Sequence, residues 1–215
     1  MSLADRYTVT HIPAKEGRAF VKEHHYSHGI HNGPTCYGLI DVDSADLVGV
    51  LAIATPCSEN VRRSVFGPEH ASRVTELHRL VLLEEIPKNS ESFFIGAALR
   101  LHKQRRPDHW AVLSFADTTE GHVGTVYQAT NAIYTGSSGK ETFYLDEVGR
   151  LRHPRQNGVN ISKEVAAARG WSPVVREGKH RYLFLLPDNR SHKKELLRLC
   201  RLQNLPYPKA APLAD

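Results

Sequence analysis

Two apolar runs stand out early in the chain, at 36–41 and 47–55, parted by the turn-like Asp43-Ser44-Ala45-Asp46. Runs of that length bounded by turn residues predict a β-hairpin. Ahead of them, residues 14–25 bring Phe20, Val21 and His24 near one helical face, so a short amphipathic helix is expected there. A loop rich in Gly, Pro and Asn over 27–35 links that helix to the hairpin. Residues 58–72 are polar and read as a loop or short helix. Residues 75–83 carry apolar side chains at Leu77, Leu80 and Leu82 and predict a strand. Asn89 or Ser90 then caps a helix running through Arg105. A compact apolar strand follows at 110–116, and a helix at 122–133 with Val123, Val126, Tyr127 and Thr130 on one face. The chain closes with a strand at 182–186 and a basic helix at 191–201. The intervening residues 135–180 are rich in Gly, Arg and Lys, with a strand signal at 142–148, and predict an insertion bearing its own hairpin. The expected fold is α/β (α+β): one domain over 1–215, a mixed central β-sheet flanked by helices on both faces, and a basic β-hairpin insertion.

Composition narrows the class. With 40% hydrophobic and 24% charged residues in 215, the chain buries a core and is not disordered. No apolar stretch approaches the roughly 18–20 residues of a membrane span, and the first residues lack the apolar centre of a signal peptide. Cys36, Cys57 and Cys200 are odd in number and widely spaced, which fits a reducing cytoplasm. The net charge of +5 is unevenly placed. Residues 1–149 carry 14 basic and 18 acidic side chains, and residues 150–215 carry 14 basic and 5 acidic, giving −4 and +9. A basic C-terminal third, including the helix and tail over 187–215, points to a polyanion, with nucleic acid the first candidate.

Three segments hold polar groups that a core has no need of. The first is His24-His25-Tyr26-Ser27-His28 with His31; the second is Glu76-Leu77-His78-Arg79; the third runs from Ser114 and Asp117 through Glu120-Gly121-His122 into Gly124-Thr125-Val126-Tyr127. A strand ending in Ser and Asp and feeding a helix places polar groups at the carboxyl edge of a sheet, where open α/β sheets put their sites. Gly121 and Gly124 allow close backbone approach, and the helix start offers N–H groups to an anion, with His122 beside it. Asp117 can accept a proton and Tyr127 can donate one. Glu76 and Arg79 are three apart, so in a regular strand they face opposite ways unless a bulge intervenes. Arg79 in an apolar run needs a partner, and Asp117 is the expected one. The histidine cluster lacks the spacing of a zinc motif, while an iron site using two of these histidines and a distant carboxylate stays open. No nucleotide-binding loop, nucleophile elbow or dinucleotide fingerprint is present. In the basic third, Arg150, Arg152, Arg155, Lys179, Arg181, Lys193 and Lys194 are the candidate phosphate contacts.

The segments His24-His25-Tyr26-Ser27, Glu76-Leu77-His78-Arg79-Leu80 and Ser114-Phe115-Ala116-Asp117, followed by the Gly121 to Gly136 stretch, resemble the Mom family of phage DNA-modification proteins. The resemblance covers about residues 20–186. It implies a fold like that of the Gcn5-related N-acetyltransferases. It further implies conversion of adenine in double-stranded DNA to an N6-carbamoylmethyl derivative that protects DNA from restriction in the bacterial host cytoplasm. By the same resemblance, His25, Tyr26, Arg79, Ser114, Asp117 and Tyr127 are the active-site groups. The loop that cradles the coenzyme A pyrophosphate in ordinary acetyltransferases is replaced here by 83–93, without its glycine pattern and with three acidic residues. Lys88, Asn89 and Ser90 at the helix start can still receive a phosphate or carboxylate. Acetyl-CoA, a glycine-derived or aminoacyl donor, and a bound iron all stay open, as does the oligomeric state, with a homodimer one option. The rival readings are an acyltransferase acting on a small molecule, protein or aminoacyl-tRNA, and a DNA-binding module without activity.

Overall fold

The computed structural model describes residues 2–25, 29–30, 33–118, 121, 123–156 and 159–209, with the side chain of Gln156 left aside. In chain order the elements are α1 (Leu3–Arg6), β1 (Tyr7–Ile12), α2 (Ala14–His24), β2 (Thr35–Asp41), β3 (Leu47–Ala54), α3 (Glu59–Phe66), a 3₁₀ turn (Pro68–Arg73), β4 (Val74–Leu82), α4 (Ser90–Arg105) and β5 (Ala111–Ala116). They continue with α5 (Thr125–Ala129), β6 (Ile133–Ser137), β7 (Glu141–Leu145), β8 (Leu151–Arg152), β9 (Arg155–Gln156), β10 (Val159–Asn160), α6 (Lys163–Ala168), β11 (Ser172–Arg176), β12 (His180–Leu185) and α7 (Arg190–Leu199). Seven strands form one sheet in the order β1-β2-β3-β4-β5-β12-β6. Every neighbouring pair is antiparallel except β4 and β5. The expected mixed sheet flanked by helices is what the chain builds.

Alternation along the strands sorts the core into two layers. Leu51 and Ile53 of β3, Leu77 of β4 and Val112 and Ala116 of β5 face Phe94, Ile95 and Ala98 of α4 and Tyr127 of α5. On the other face, Val50 and Ala52 meet Phe20 and Val21 of α2. Farther along that face, Leu113 and Leu183 meet Val65 and Phe66 of α3 and Leu196 of α7. Strands β2 and β3 are covered on both sides, which is why their sequences read as unbroken apolar runs.

Strand β4 breaks its own alternation. Ala52 pairs with Arg79 and Ile53 with Leu77, so His78 is an extra residue, a β-bulge. The swap is visible in the packing: Val74 and Val81, seven apart, share one face, while Leu77, Leu80 and Leu82 share the other. Glu76 and Arg79 therefore come to the same side: of the two cases that their spacing leaves open, the chain adopts the bulge, the less expected one. The parallel ladder of β4 with β5 runs only from Val74↔Ala111 to Leu77↔Ser114. Beyond that rung both strands continue, and they part.

Other expectations shift in detail. The strand β1 at the sheet edge lies in a segment where none was expected. The helix expected over 122–133 shrinks to Thr125–Ala129, because Gly124 at its start and Asn131 after its end both take left-handed backbone conformations. The stretch 58–72 holds α3 and the 3₁₀ turn. The insertion is narrower than 135–180: Ile133–Ser137 and His180–Leu185 pair within the central sheet, leaving 138–179 outside it. That segment makes a sheet in the order β11-β7-β8, a two-stranded ribbon β10-β9 and α6, and buries Tyr144 and Ala166. After α7 the chain crosses to the open edge of β6, where Leu205 N–H donates to Tyr134 O and the Tyr207 hydroxyl to Ala132 O. That segment blunts an otherwise bare strand edge. No helix among the described residues is long and apolar enough to cross a membrane.

Phe94 is fully buried between α4 and the sheet. Phe94→Ala is expected to cost about 3–5 kcal/mol of stability in urea unfolding followed by circular dichroism. Val42→Ala, at a position 53% exposed, stays within about 0.5 kcal/mol of the parent.

Candidate active site

Where β4 and β5 part, a cavity of about 470 Å³ opens. Glu76, His78 and Arg79 line it from β4, Asp117 from the end of β5, Tyr127 from α5, and His25 from the end of α2. Lys179 reaches it from the residue just before β12. Two parallel strands that stop bonding leave backbone polar groups and side chains facing a gap, so the cavity is a direct product of the bulge and the short ladder. Ser114 stands on the last rung, fully buried, and its hydroxyl has no hydrogen-bond partner among the described residues.

The wall opposite β4 is built by Gly124. Its positive φ and its contact with the Tyr182 ring exclude any larger side chain. Tyr182 in turn donates to Val123 O, and the Gln128 side-chain amide donates to Val123 O at 3.0 Å and to the Tyr182 hydroxyl at 3.0 Å. Tyr127 is nearly buried, with its ring 5.4 Å from that of Tyr182. The loop after β5 is thus held from behind, and Tyr127 is fixed facing the cavity.

Charges in the cavity do not pair as the sequence suggests. The Arg79 Nε donates to Gly29 O at 2.7 Å and its Nη1 to His78 O at 2.6 Å. Asp117 is ion-paired with Lys179 instead, at 3.3 Å. Burial pushes the Glu76 carboxyl up to about 7, against the pull of Lys179 and Arg79 toward the charged form. Arg155, on the ribbon of the insertion, acts with Arg79 on the Cys57 thiol, which burial and Glu76 hold above its ordinary value. The insertion therefore borders the cavity through Lys179, with the charge of Arg155 felt at Cys57 nearby.

The Mom protein family model matches residues 6–209. The chain belongs to the Mom protein family. The protein named Methylcarbamoylase mom of Escherichia phage Mu is 32% identical over 202 residues, covering 89% of this chain and 79% of that protein. Among solved structures, spermidine/spermine N-acetyltransferase SpeG from Vibrio cholerae overlays with a TM-score of 0.49 at 12% identity, over 92% of this chain and 99% of that one. A Bacillus subtilis acetyltransferase in complex with CoA gives 0.41 at 11% identity, over 84% and 97%.

Of the expected site residues in this family member, the cavity gathers His25, Arg79, Asp117, Tyr127, Gly121 and Gly124. Tyr26 and His122 lie outside the described residues, as do His28 and His31 of the histidine cluster. Among the described residues no group of three or more His, Cys, Asp or Glu is arranged to hold a metal. Lys88 and Asn89 are exposed just before α4, and Ser90 begins it fully buried. The basic residues separate into groups. Arg150 and Arg155 are exposed, whereas Arg152 is spent on Asp146 at 2.7 Å. Arg181 donates through Nε and Nη2 to Thr135 at 2.9 and 3.1 Å, a strand-to-strand tie within the sheet. Lys193 and Lys194 are exposed on α7, beyond the end of β12 opposite to the cavity. Sequence reasoning missed Glu76 as a site residue, because only the bulge turns it and Arg79 to one side.

Glu76 makes a pH-dependent contribution whose sign is fixed. Its folded carboxyl titrates at about 7, above its ordinary 4.5, so between those values the folded state binds more protons than the unfolded chain. Stability from this group is full below about 4.5 and lost as pH rises through 7. Glu76→Gln is expected to flatten that fall, read by urea unfolding at a series of pH values; an unchanged slope contradicts the assignment.

Proposed function

We propose that this protein converts the exocyclic amine of adenine in double-stranded DNA to its N6-carbamoylmethyl derivative, protecting DNA from restriction. The single observation that carries the reading is the placement of Glu76 and Asp117 in one cavity with Arg79, bordered by Lys179 at the neck of a basic insertion. Family membership and the phage Mu relative, itself named a methylcarbamoylase, support the chemistry.

An adenine amine inside the stack is out of reach of a cavity at a sheet edge. The base is therefore flipped, at a cost of a few kcal/mol. Exposed Arg150 and Arg155 hold the phosphate backbone beside the cavity, with Lys193 and Lys194 as more distant contacts. In the cavity, the N6 nitrogen attacks the methylene carbon of a carbamoylmethyl donor. The N6–carbon bond forms, the bond from that carbon to the leaving group breaks, and the electron pair departs with the leaving group. Glu76, titrating at about 7, takes one N6 proton near neutral pH. Asp117 accepts a hydrogen bond from the same amine and orients it. The positive charge of Arg79, on the same wall, draws the carboxamide oxygen, and Tyr127 supplies the leaving group with a proton. His25 closes the cavity at the end of α2.

The likeness to acyltransferases raises coenzyme A as carrier. The residues at the start of α4 do not fit its pyrophosphate. A second cavity of about 400 Å³, which shares His25 and Leu80 with the first, is lined by Glu84 and Glu91, with no Lys or Arg among its lining residues. Two carboxylates there repel a pyrophosphate. No step above is routed through that carrier.

The protein is produced together with a plasmid, and the DNA is digested to nucleosides for mass spectrometry. A carbamoylmethyl adduct on deoxyadenosine is expected. Glu76→Gln is expected to lower its yield by about 10²–10⁴-fold. Unmodified DNA alongside a modified small molecule, or full activity in Asp117→Asn, would overturn the reading.

A further inference from the structure

Lys179 belongs by sequence to the basic insertion, and its neighbours in that third of the chain are phosphate-contact candidates. Its surroundings say otherwise. The two ends of the insertion cross immediately before β12, where Ser138 N–H donates to Lys179 O at 2.9 Å and Lys179 N–H donates to the Ser138 hydroxyl at 2.9 Å. Gly178 is buried in this crossing, and a Cβ there would drive into Ser138 O. From the catalytic side, the Thr118 hydroxyl donates to Gly178 O at 3.0 Å. Residues 117 and 118, at the end of β5, are thus bound to residues 179 and 178 of the neck, side chain and backbone alike. A rigid shift of the insertion has no path that leaves the Lys179 backbone still.

We propose that Lys179 is a positioning residue of the cavity, fixing the Asp117 carboxylate and tying both site carboxylates to the neck of the basic insertion. This rests on the functional reading above, in which Asp117 and Glu76 meet the adenine amine. Among the described residues, the titratable groups that line the cavity with Glu76 or interact electrostatically with it are Arg79 and His78 from β4, Lys179 from the neck, Asp117 from the end of β5, Tyr127 from α5, His25 from the end of α2 and Cys57 after β3. Lys179 heads the two cations that favour its charged form. Docking of a polyanion on Arg150 and Arg155 then acts on the carboxylates through the body of the insertion and its neck, which ends in the Lys179–Asp117 ion pair.

Two measurements on the full chain separate this from a phosphate contact. In the first, ¹³C-carboxyl NMR follows Glu76 across pH in the parent, Lys179→Met and Lys179→Arg. The midpoint of about 7 is expected to rise by about one pH unit in Lys179→Met and to return in Lys179→Arg. In the second, the salt dependence of binding to a DNA duplex is measured. Lys179→Met is expected to keep the parent slope, while Arg150→Gln lowers it by about one. A Glu76 midpoint that stays put in Lys179→Met, or a salt slope lowered as in Arg150→Gln, overturns the proposal. If Lys179→Met does not fold, the parent and Lys179→Arg decide, since a charge-specific role requires equal midpoints in both. Failure of the parent to modify DNA would end the functional reading and leave the NMR comparison standing.

Discussion

The parting of β4 from β5 is the constraint on which the site depends. Parallel strands normally stay bonded along their shared length, because an unpaired backbone group in the interior costs about as much as a lost hydrogen bond. Here the ladder ends at Leu77↔Ser114, and the bulge at His78 follows directly on β4. The extra residue re-aims the strand, so that Leu80 and Leu82 after the bulge return to the α4 layer while Arg79 turns to the side of Glu76. Bulges are common where a strand must redirect a side chain beside an active site. The unpaired length of both strands becomes the cavity wall, closed at the far side by Gly124 against the Tyr182 ring.

Electrostatics then divide the labour among the charged groups. Glu76 is held near neutrality by burial, with two cations close enough to keep its ionised form accessible. Asp117 has a direct ion pair with Lys179, whose own side chain is half exposed. Because the pair bridges the sheet and the neck of the insertion, the charge balance of the cavity is mechanically linked to the element that carries the basic surface. The neighbouring cavity at Glu84 and Glu91 is acidic and unsuited to phosphate.

Much of this architecture is legible from the sequence because it is local. The continuous apolar runs of β2 and β3, the start of α4 at Ser90 and the compact β5 all follow from patterns within a dozen residues, although Asn89 at the cap position makes no side-chain capping hydrogen bond. The family motifs also lead to Arg79, Asp117 and Tyr127. What the sequence hides is non-local or stereochemical. The bulge at His78 exists only in the register of β4 against β3. The helix after Gly124 has the spacing of a longer one, and is cut by left-handed residues that periodicity does not detect. Strand β1 mixes buried Tyr7 and Ile12 with exposed threonines, too weak an alternation to read at a sheet edge. The ion-pair partner of Asp117 lies 62 positions away at Lys179, across the whole insertion, whereas the expected neighbouring strands suggested Arg79.

The central claim is that the carboxylate turned inward by the bulge removes the proton from the reacting amine. The most direct test is the single-turnover rate of DNA modification by the full-length protein as a function of pH. The rate is expected to rise about tenfold per pH unit at low pH and to level off above about 7, where Glu76 is ionised. A rate independent of pH across that midpoint, or the same rising limb in Glu76→Gln, would contradict it.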